Sequence, residues 1–174
     1  HAIFDGAYMT IVVAETGGVT MDMHNRLRKA RATFIRLKNV WNSSNYKRKT
    51  KIKLYKTLVK PVLMYGSETW KMTDSDNHKL DVFQSKCLRQ ILKIRWQDHV
   101  SNENVMERAG IEMMSKEVRK KRWKYIGHVL RREQGNDCTT AMTWAPEGKR
   151  KVGRPKTTLR RTVERERNEA GWKT

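Results

Sequence analysis

The chain has 174 residues, 38 Lys and Arg against 18 Asp and Glu, a formal charge of +20, and two cysteines, Cys87 and Cys138. A compact chain this basic repels itself unless a polyanion is near, so nucleic acid is the expected partner rather than a membrane or a small-molecule substrate. No apolar run approaches the ~18 residues a membrane span needs, nothing at the start resembles a secretory signal, and two cysteines without a CxxC pair argue against a disulfide framework and for free thiols in a reducing, intracellular compartment.

Taken in chain order, residues 7–14 (AYMTIVVA) read as a short strand running into Gly17-Gly18, and one strand needs partners from elsewhere. The opening His1 in place of Met is read as a fragment cut from something longer. From Thr20 the period changes. Met23, Leu27, Ala30, Phe34, Leu37 and Trp41 form one helical stripe, with Thr20 as the expected N-cap and Asp22 in the first turn. Arg26, Arg28, Lys29, Arg31, Arg36 and Lys38 cover the rest of that helix and meet a single acid, Asp22. So unbalanced a face is suited to phosphate contact.

Ser43-Ser44-Asn45 break the pattern before a second helix over 47–65, with Ile52, Tyr55, Leu58, Val59, Val62 and Tyr65 as its apolar face. Lys47, Arg48, Lys49, Lys51, Lys53 and Lys56 crowd its start against the helix dipole, an arrangement that an anion would relieve. Pro61 should kink or restart it, Gly66 should end it, and Trp70 should pack back on it. A third helix over 74–93 opens on a capping pattern at Thr73 and buries Leu80, Phe83, Cys87, Leu88, Ile91 and Leu92. A short helix over 102–109 closes at Gly110. Ser115 is the expected cap of a fifth, over 116–132, with Val118, Trp123, Ile126, Val129 and Leu130 inward and Lys120 and Lys121 on its basic surface. Residues 133–156 read as a Gly/Pro loop with one extended piece at Thr140–Trp144, followed by an exposed helix over 157–170. The fold class is mainly α.

Charge is uneven. Residues 20–60 hold 13 basic and 1 acidic residue, residues 61–115 hold 7 and 8, and residues 116–174 hold 18 and 7. Two basic blocks flank a neutral middle. The acids sit singly, mostly at helix starts where capping explains them, and the five histidines are scattered. No catalytic residue, metal ligand set or phosphate-binding loop is expected, and no cofactor. Trp41, Tyr55, Tyr65 and Trp123 lie on apolar stripes and read as core. Trp70, Trp96 and Trp144 fall between elements, where base stacking is an option.

Residues 147–161, EGKRKVGRPKTTLRR, carry Lys149, Arg150, Lys151, Arg154, Lys156, Arg160 and Arg161. Gly153-Arg154-Pro155 matches part of an AT-hook, a minor-groove binder, with Val152 where the motif would have its first Arg. A hook, generic phosphate contact and a solvated linker are all open readings of this stretch. The candidate nucleic-acid-binding residues are these seven with Arg26, Lys29, Lys47, Arg48, Lys49, Lys51, Lys120 and Lys121.

The ordered series FIRLKNVWNSS, KIKLYKTLVKPVLMYGSETWKM, FQSKCLRQILKIRW, KKRWKYIGHVLRRE and APEGKRKVGRPKTTLRR resembles the C-terminal region of reverse transcriptases of non-LTR (LINE-type) retrotransposons. The resemblance implies three parts. Residues 1–19 would be the end of a palm-like β-hairpin, residues 20–132 a helical thumb-like domain, and residues 133–174 a basic loop with a C-terminal helix. It implies a piece that grips the template–primer duplex and RNA backbone during target-primed reverse transcription, with RNA, DNA and the parent palm and fingers as partners. A nuclear location, and a cytoplasmic one as ribonucleoprotein, would follow. The catalytic aspartates and their Mg would lie upstream in the parent polymerase. The chain departs from the family at Met9-Thr10-Ile11, where Leu-Gly is usual, and at Leu159, where Trp is usual. An AT-hook-like chromatin module and a decayed, non-functional retroelement fragment are the alternatives.

Overall fold

The computed structural model describes residues 18–131 and 158–171, and of residues 18–21 the backbone alone. The predicted strand at 7–14 and extended piece at Thr140–Trp144 lie outside the described residues, which are mainly α and contain no strand.

The first predicted stripe is buried as expected at Met23, Leu27, Ala30, Phe34 and Trp41, but it is split between α1 (Gly18–Arg36) and α2 (Lys38–Asn42). The break at Leu37 has a visible cause. The Phe34 carbonyl accepts both the Leu37 N–H (3.2 Å) and the Trp41 indole N–H (2.8 Å), and the Trp41 ring stacks on Phe34 at 5.0 Å. A buried indole needs an acceptor, and a local turn supplies one. Nor is Thr20 the cap: α1 already begins at Gly18 and its first turn holds no acid. Asp22 instead accepts from Trp70 Nε1 (3.0 Å) and pairs with Arg26 (3.6 Å), so its charge serves a tertiary contact.

The second helix is a continuous rod of three parts. These are α3 (Arg48–Leu54), a π-helical turn (Tyr55–Val59) and α4 (Lys60–Met64). Pro61 has no N–H and its ring would crowd the carbonyl four residues back. The wide turn before it, in which the Lys60 N–H reaches Tyr55 O, makes the needed room. Tyr55, Val59 and Leu63 are inward, while Leu58 and Tyr65, expected inward, are 44% and 47% exposed at the edges of that narrower stripe. Gly66 (φ 69°) ends the rod, as expected, and Trp70 is buried behind it.

Helix α5 (Asp74–Leu92) has the predicted capping box, with Asp76 N donating to Thr73 Oγ1 and Thr73 N to Asp76 Oδ2, both at 3.2 Å. It buries the six residues predicted for it and ends with Lys93 at φ 59°. Helix α6 (Asn102–Ala109) closes at Gly110, φ 58°. Helix α7 (Met114–Leu130) starts differently from expectation. Ser115 caps nothing; its N–H and hydroxyl donate to the Asp81 carboxylate of α5 (3.0 and 2.7 Å), and the Met114 N–H to Gln84 Oε1 (2.7 Å). The orphan donors of the helix start are thus satisfied from a neighbouring helix. Leu130, expected inward, is 69% exposed.

Helix α1 packs on α4 and the π turn, α5 on α3, α6 and α7, and α7 on the short turn at Ser67–Thr69. One apolar cluster runs through them from Met23 to Val118. The last helix, α8 (Leu159–Glu169), was expected to be exposed. It is docked instead, with Thr162 and Glu166 buried.

Candidate nucleic-acid interface

The pitch of the rod places Lys49, Ile52 and Lys53 of α3 and Lys56 of the π-helical turn on one face, at steps of three and four. That face, with Arg48, forms one wall of a groove of about 780 Å³. The C-terminal end of α6, with Arg108 and the single acid Glu107, forms the facing wall, and Ile52, Leu92, Ile94 and Ala109 give the groove an apolar side. Lys56 Nζ crosses it to donate to Gly110 O (2.9 Å). Arg48, Lys49, Lys53 and Arg108 are exposed and form no ion pair with another described residue. Unpaired cations converging on a concave surface concentrate positive potential there.

The structure places the other predicted residues variously. Lys47 (the N-terminal flank of α3) and Lys29 are exposed. Lys51 is a correction: it is 5% exposed, and its ammonium donates to Trp41 O (2.9 Å) and Ser43 O (2.6 Å). It ties the end of α2 to α3 and has no face for a phosphate. Arg26 is half-buried, paired with Asp22 and stacked 4.3 Å over the Tyr65 ring. Lys120 pairs with Glu112 (2.7 Å) and Arg160 with Glu164 (3.1 Å), both at the surface. Arg161 is exposed. Lys121 donates to Met64 O (3.0 Å) while lining, with Lys124, His128, Arg131 and the single acid Glu68, a shallow hollow of about 430 Å³. Lys149, Arg150, Lys151, Arg154 and Lys156 lie outside the described residues.

Sequence reasoning missed Arg108, because it falls in the stretch whose charges cancel. It also missed a buried cation, Arg122, 1% exposed. The Arg122 guanidinium pairs with Glu166 of α8 through Nη1 and donates from Nη2 to Trp70 O (3.1 Å). Burial lowers its pKa, and the neighbouring Glu166 carboxylate opposes that shift. Arg119 pairs with Glu169 (2.6 Å), and Arg165 reaches Asp74 (3.2 Å) and Met72 O (3.0 Å). These bonds hold α8 to the bundle.

Among the described residues no group of three His, Cys, Asp or Glu could hold a metal ion, and no helix is long and apolar enough to cross a membrane. Burial pushes the Cys87 thiol up to about 12 and raises Tyr55 well above the usual phenol range. A thiol so protonated is a poor nucleophile.

Residues 33–65, from the end of α1 to the end of the α3–α4 rod, match a domain family of unknown function, DUF6451. Over 140 residues the chain is 31% identical to an uncharacterized transposon-derived protein of Caenorhabditis elegans, an alignment covering 76% of this chain and 49% of that protein. The chain therefore spans about half the length of the curated relative it matches. No solved structure matches it.

Proposed function

We propose that this chain is the nucleic-acid-gripping thumb and post-thumb piece of a retrotransposon-encoded reverse transcriptase, transposon-derived like its nematode relative. The observation that carries this reading is the groove, where Arg48, Lys49, Lys53 and Arg108 converge around the single acid Glu107 and form no ion pair with another described residue. A polymerase must move along any sequence, so the grip acts on phosphates rather than on base edges. Exposed Lys29, Lys47, Lys121 and Lys124 add further cations to the surface. RNA and DNA are the partners in this proposal, and a nuclear location follows from a DNA target. Polymerase chemistry and its Mg belong to catalytic aspartates of the parent enzyme.

The test is fluorescence anisotropy with an RNA–DNA hybrid, an A·T-rich duplex and a G·C-rich duplex, each across a salt series. If about 6–10 phosphates are neutralised, affinity falls about 10³–10⁵-fold between 50 and 200 mM salt, equally for all three. Replacing Arg48, Lys49 and Lys53 together by Ala lowers the salt slope by about one per lost contact. An A·T preference that survives high salt, abolished by Arg154→Ala, would replace this reading with a minor-groove hook.

A further inference from the structure

We infer that the α3–α6 groove takes a single strand of nucleic acid, seated by its bases, with Trp96 and Tyr46 as stacking platforms at one end. This deepens the proposed function and rests on it. The groove is more than a row of cations. Its apolar side, where the half-buried Ile52 and Ile94 edge the buried Leu92 and Ala109, is left uncovered by a duplex, which presents phosphates and sugars outward and keeps its base faces stacked. A strand with unstacked bases offers both a phosphate chain for Arg48, Lys49, Lys53 and Arg108 and flat apolar faces for that lining. Charge complementarity selects a polyanion, and the apolar side selects one that carries aromatic rings.

The aromatic residues add a second observation. Trp96 is 79% exposed and Tyr46 49% exposed, although such side chains are usually buried in a chain of this composition. In sequence Tyr46 lies two residues before Arg48, and Trp96 two residues after Ile94, so each is carried by a segment that leads into the groove lining. Lys93 Nζ donates to Asn42 Oδ1 (3.4 Å), which brings the end of α5 beside the α2–α3 connection, the two segments that lead to Trp96 and Tyr46. Trp96 is held on a one-turn helix, Trp96–Asp98, fixed by Arg95 N donating to Asp98 Oδ2 (2.7 Å). Exposed rings on segments that lead into a cationic groove are parts from which strand-binding surfaces are built.

The full chain is titrated with labelled oligo-uridine and oligo-deoxythymidine of about 12 nucleotides, and with a hairpin duplex, at about 0.15 M salt. Inorganic polyphosphate serves as the competitor that has charge but no bases. The single strands should bind about tenfold or more tighter than the hairpin and resist polyphosphate. Trp96→Ala, at an exposed site with no effect on the fold, should weaken them about 5- to 150-fold and leave hairpin binding unchanged. Equal affinity for strand and hairpin, with Trp96→Ala silent, overturns the single-strand inference and leaves nucleic-acid binding standing. Displacement of the strands by polyphosphate at equal charge also overturns the single-strand inference, whereas no salt-dependent binding of strand or hairpin overturns the proposed function itself.

Discussion

Two regions of the bundle are held by different forces. Around Trp41, the ring is wholly buried, stacked on Phe34, and belongs to the same apolar cluster as Tyr55, Leu88 and Ile91. At α8 the contacts are charged: Arg122 with Glu166, Arg119 with Glu169, Arg165 with Asp74. Burial of apolar area is nearly indifferent to salt, whereas the exposed pairs of Arg119 and Arg165 weaken as salt rises and only the buried Arg122–Glu166 pair is shielded from it. In a chain of charge +20, the acids that hold α8 are also the places where a competing polyanion would be repelled and a competing cation attracted. The core is thus stable on its own account, and the docking of α8 is conditional on its surroundings.

The largest expected effect breaks the first region. Trp41→Ala removes a wholly buried ring and its hydrogen bond, at a cost of about 3–5 kcal/mol. Urea unfolding should show the midpoint falling for the whole bundle, α8 included. Loss of α8 alone would mean that the two regions had been assigned to the wrong forces.

Arg122→Met tests the second region. Leaving one partner of a buried pair costs about 3–5 kcal/mol if the geometry is kept. Here α8 can undock and hydrate Glu166, so the loss should be local. Hydrogen exchange should show α8 amides deprotected and α5 amides little changed. Adding Glu166→Leu should restore much of the α8 protection, since a paired apolar replacement leaves no buried charge behind.

A third substitution, Lys51→Met, separates a structural cation from a binding one. Its ammonium bonds two carbonyls, so its loss should cost about 1.5–3 kcal/mol in thermal or chemical unfolding. The salt slope for nucleic acid should not move. A lowered slope with unchanged stability would return Lys51 to the binding surface.

These cases show what could be read without coordinates. The buried stripes of α1, α5 and the α3–α4 rod were legible because a helix against a core must repeat its apolar residues near every 3.6 positions. The Thr73 box and the Gly110 end were legible because each is settled within a few residues. Lys51 and Arg122 were not, since a cation turned inward looks the same in sequence as one turned outward. Their partners, Trp41 O, Ser43 O and Trp70 O, exist only once helix ends have been placed. The start of α7 failed for the same reason, its cap being supplied from Asp81 and Gln84, some thirty residues back. The groove was half legible: charge pointed to Arg48 and Lys49, while Arg108 faces them only through the packing of α6.

The smallest effects come from two helix ends of the same form. At α6, Gly110 N donates to Glu107 O (2.9 Å) and Ile111 N to Met106 O (3.1 Å); at α5, Lys93 N donates to Gln90 O (3.4 Å) and Ile94 N to Arg89 O (2.9 Å). The two closing residues share a left-handed backbone, φ 58° and φ 59°, yet one is glycine and the other lysine. A Cβ at Gly110 would meet nothing within 4 Å, so Gly110→Ala carries only the backbone cost, about 1–2 kcal/mol. Lys93→Gly should relieve that same cost and raise stability, by somewhat less because glycine loses more freedom on folding and the Asn42 contact is lost. Opposite signs in thermal unfolding are the expected result. If both substitutions destabilise, Lys93 contributes more through its side chain than its backbone costs, and its tie between α2 and α5 belongs with the core contacts rather than with the conditional ones.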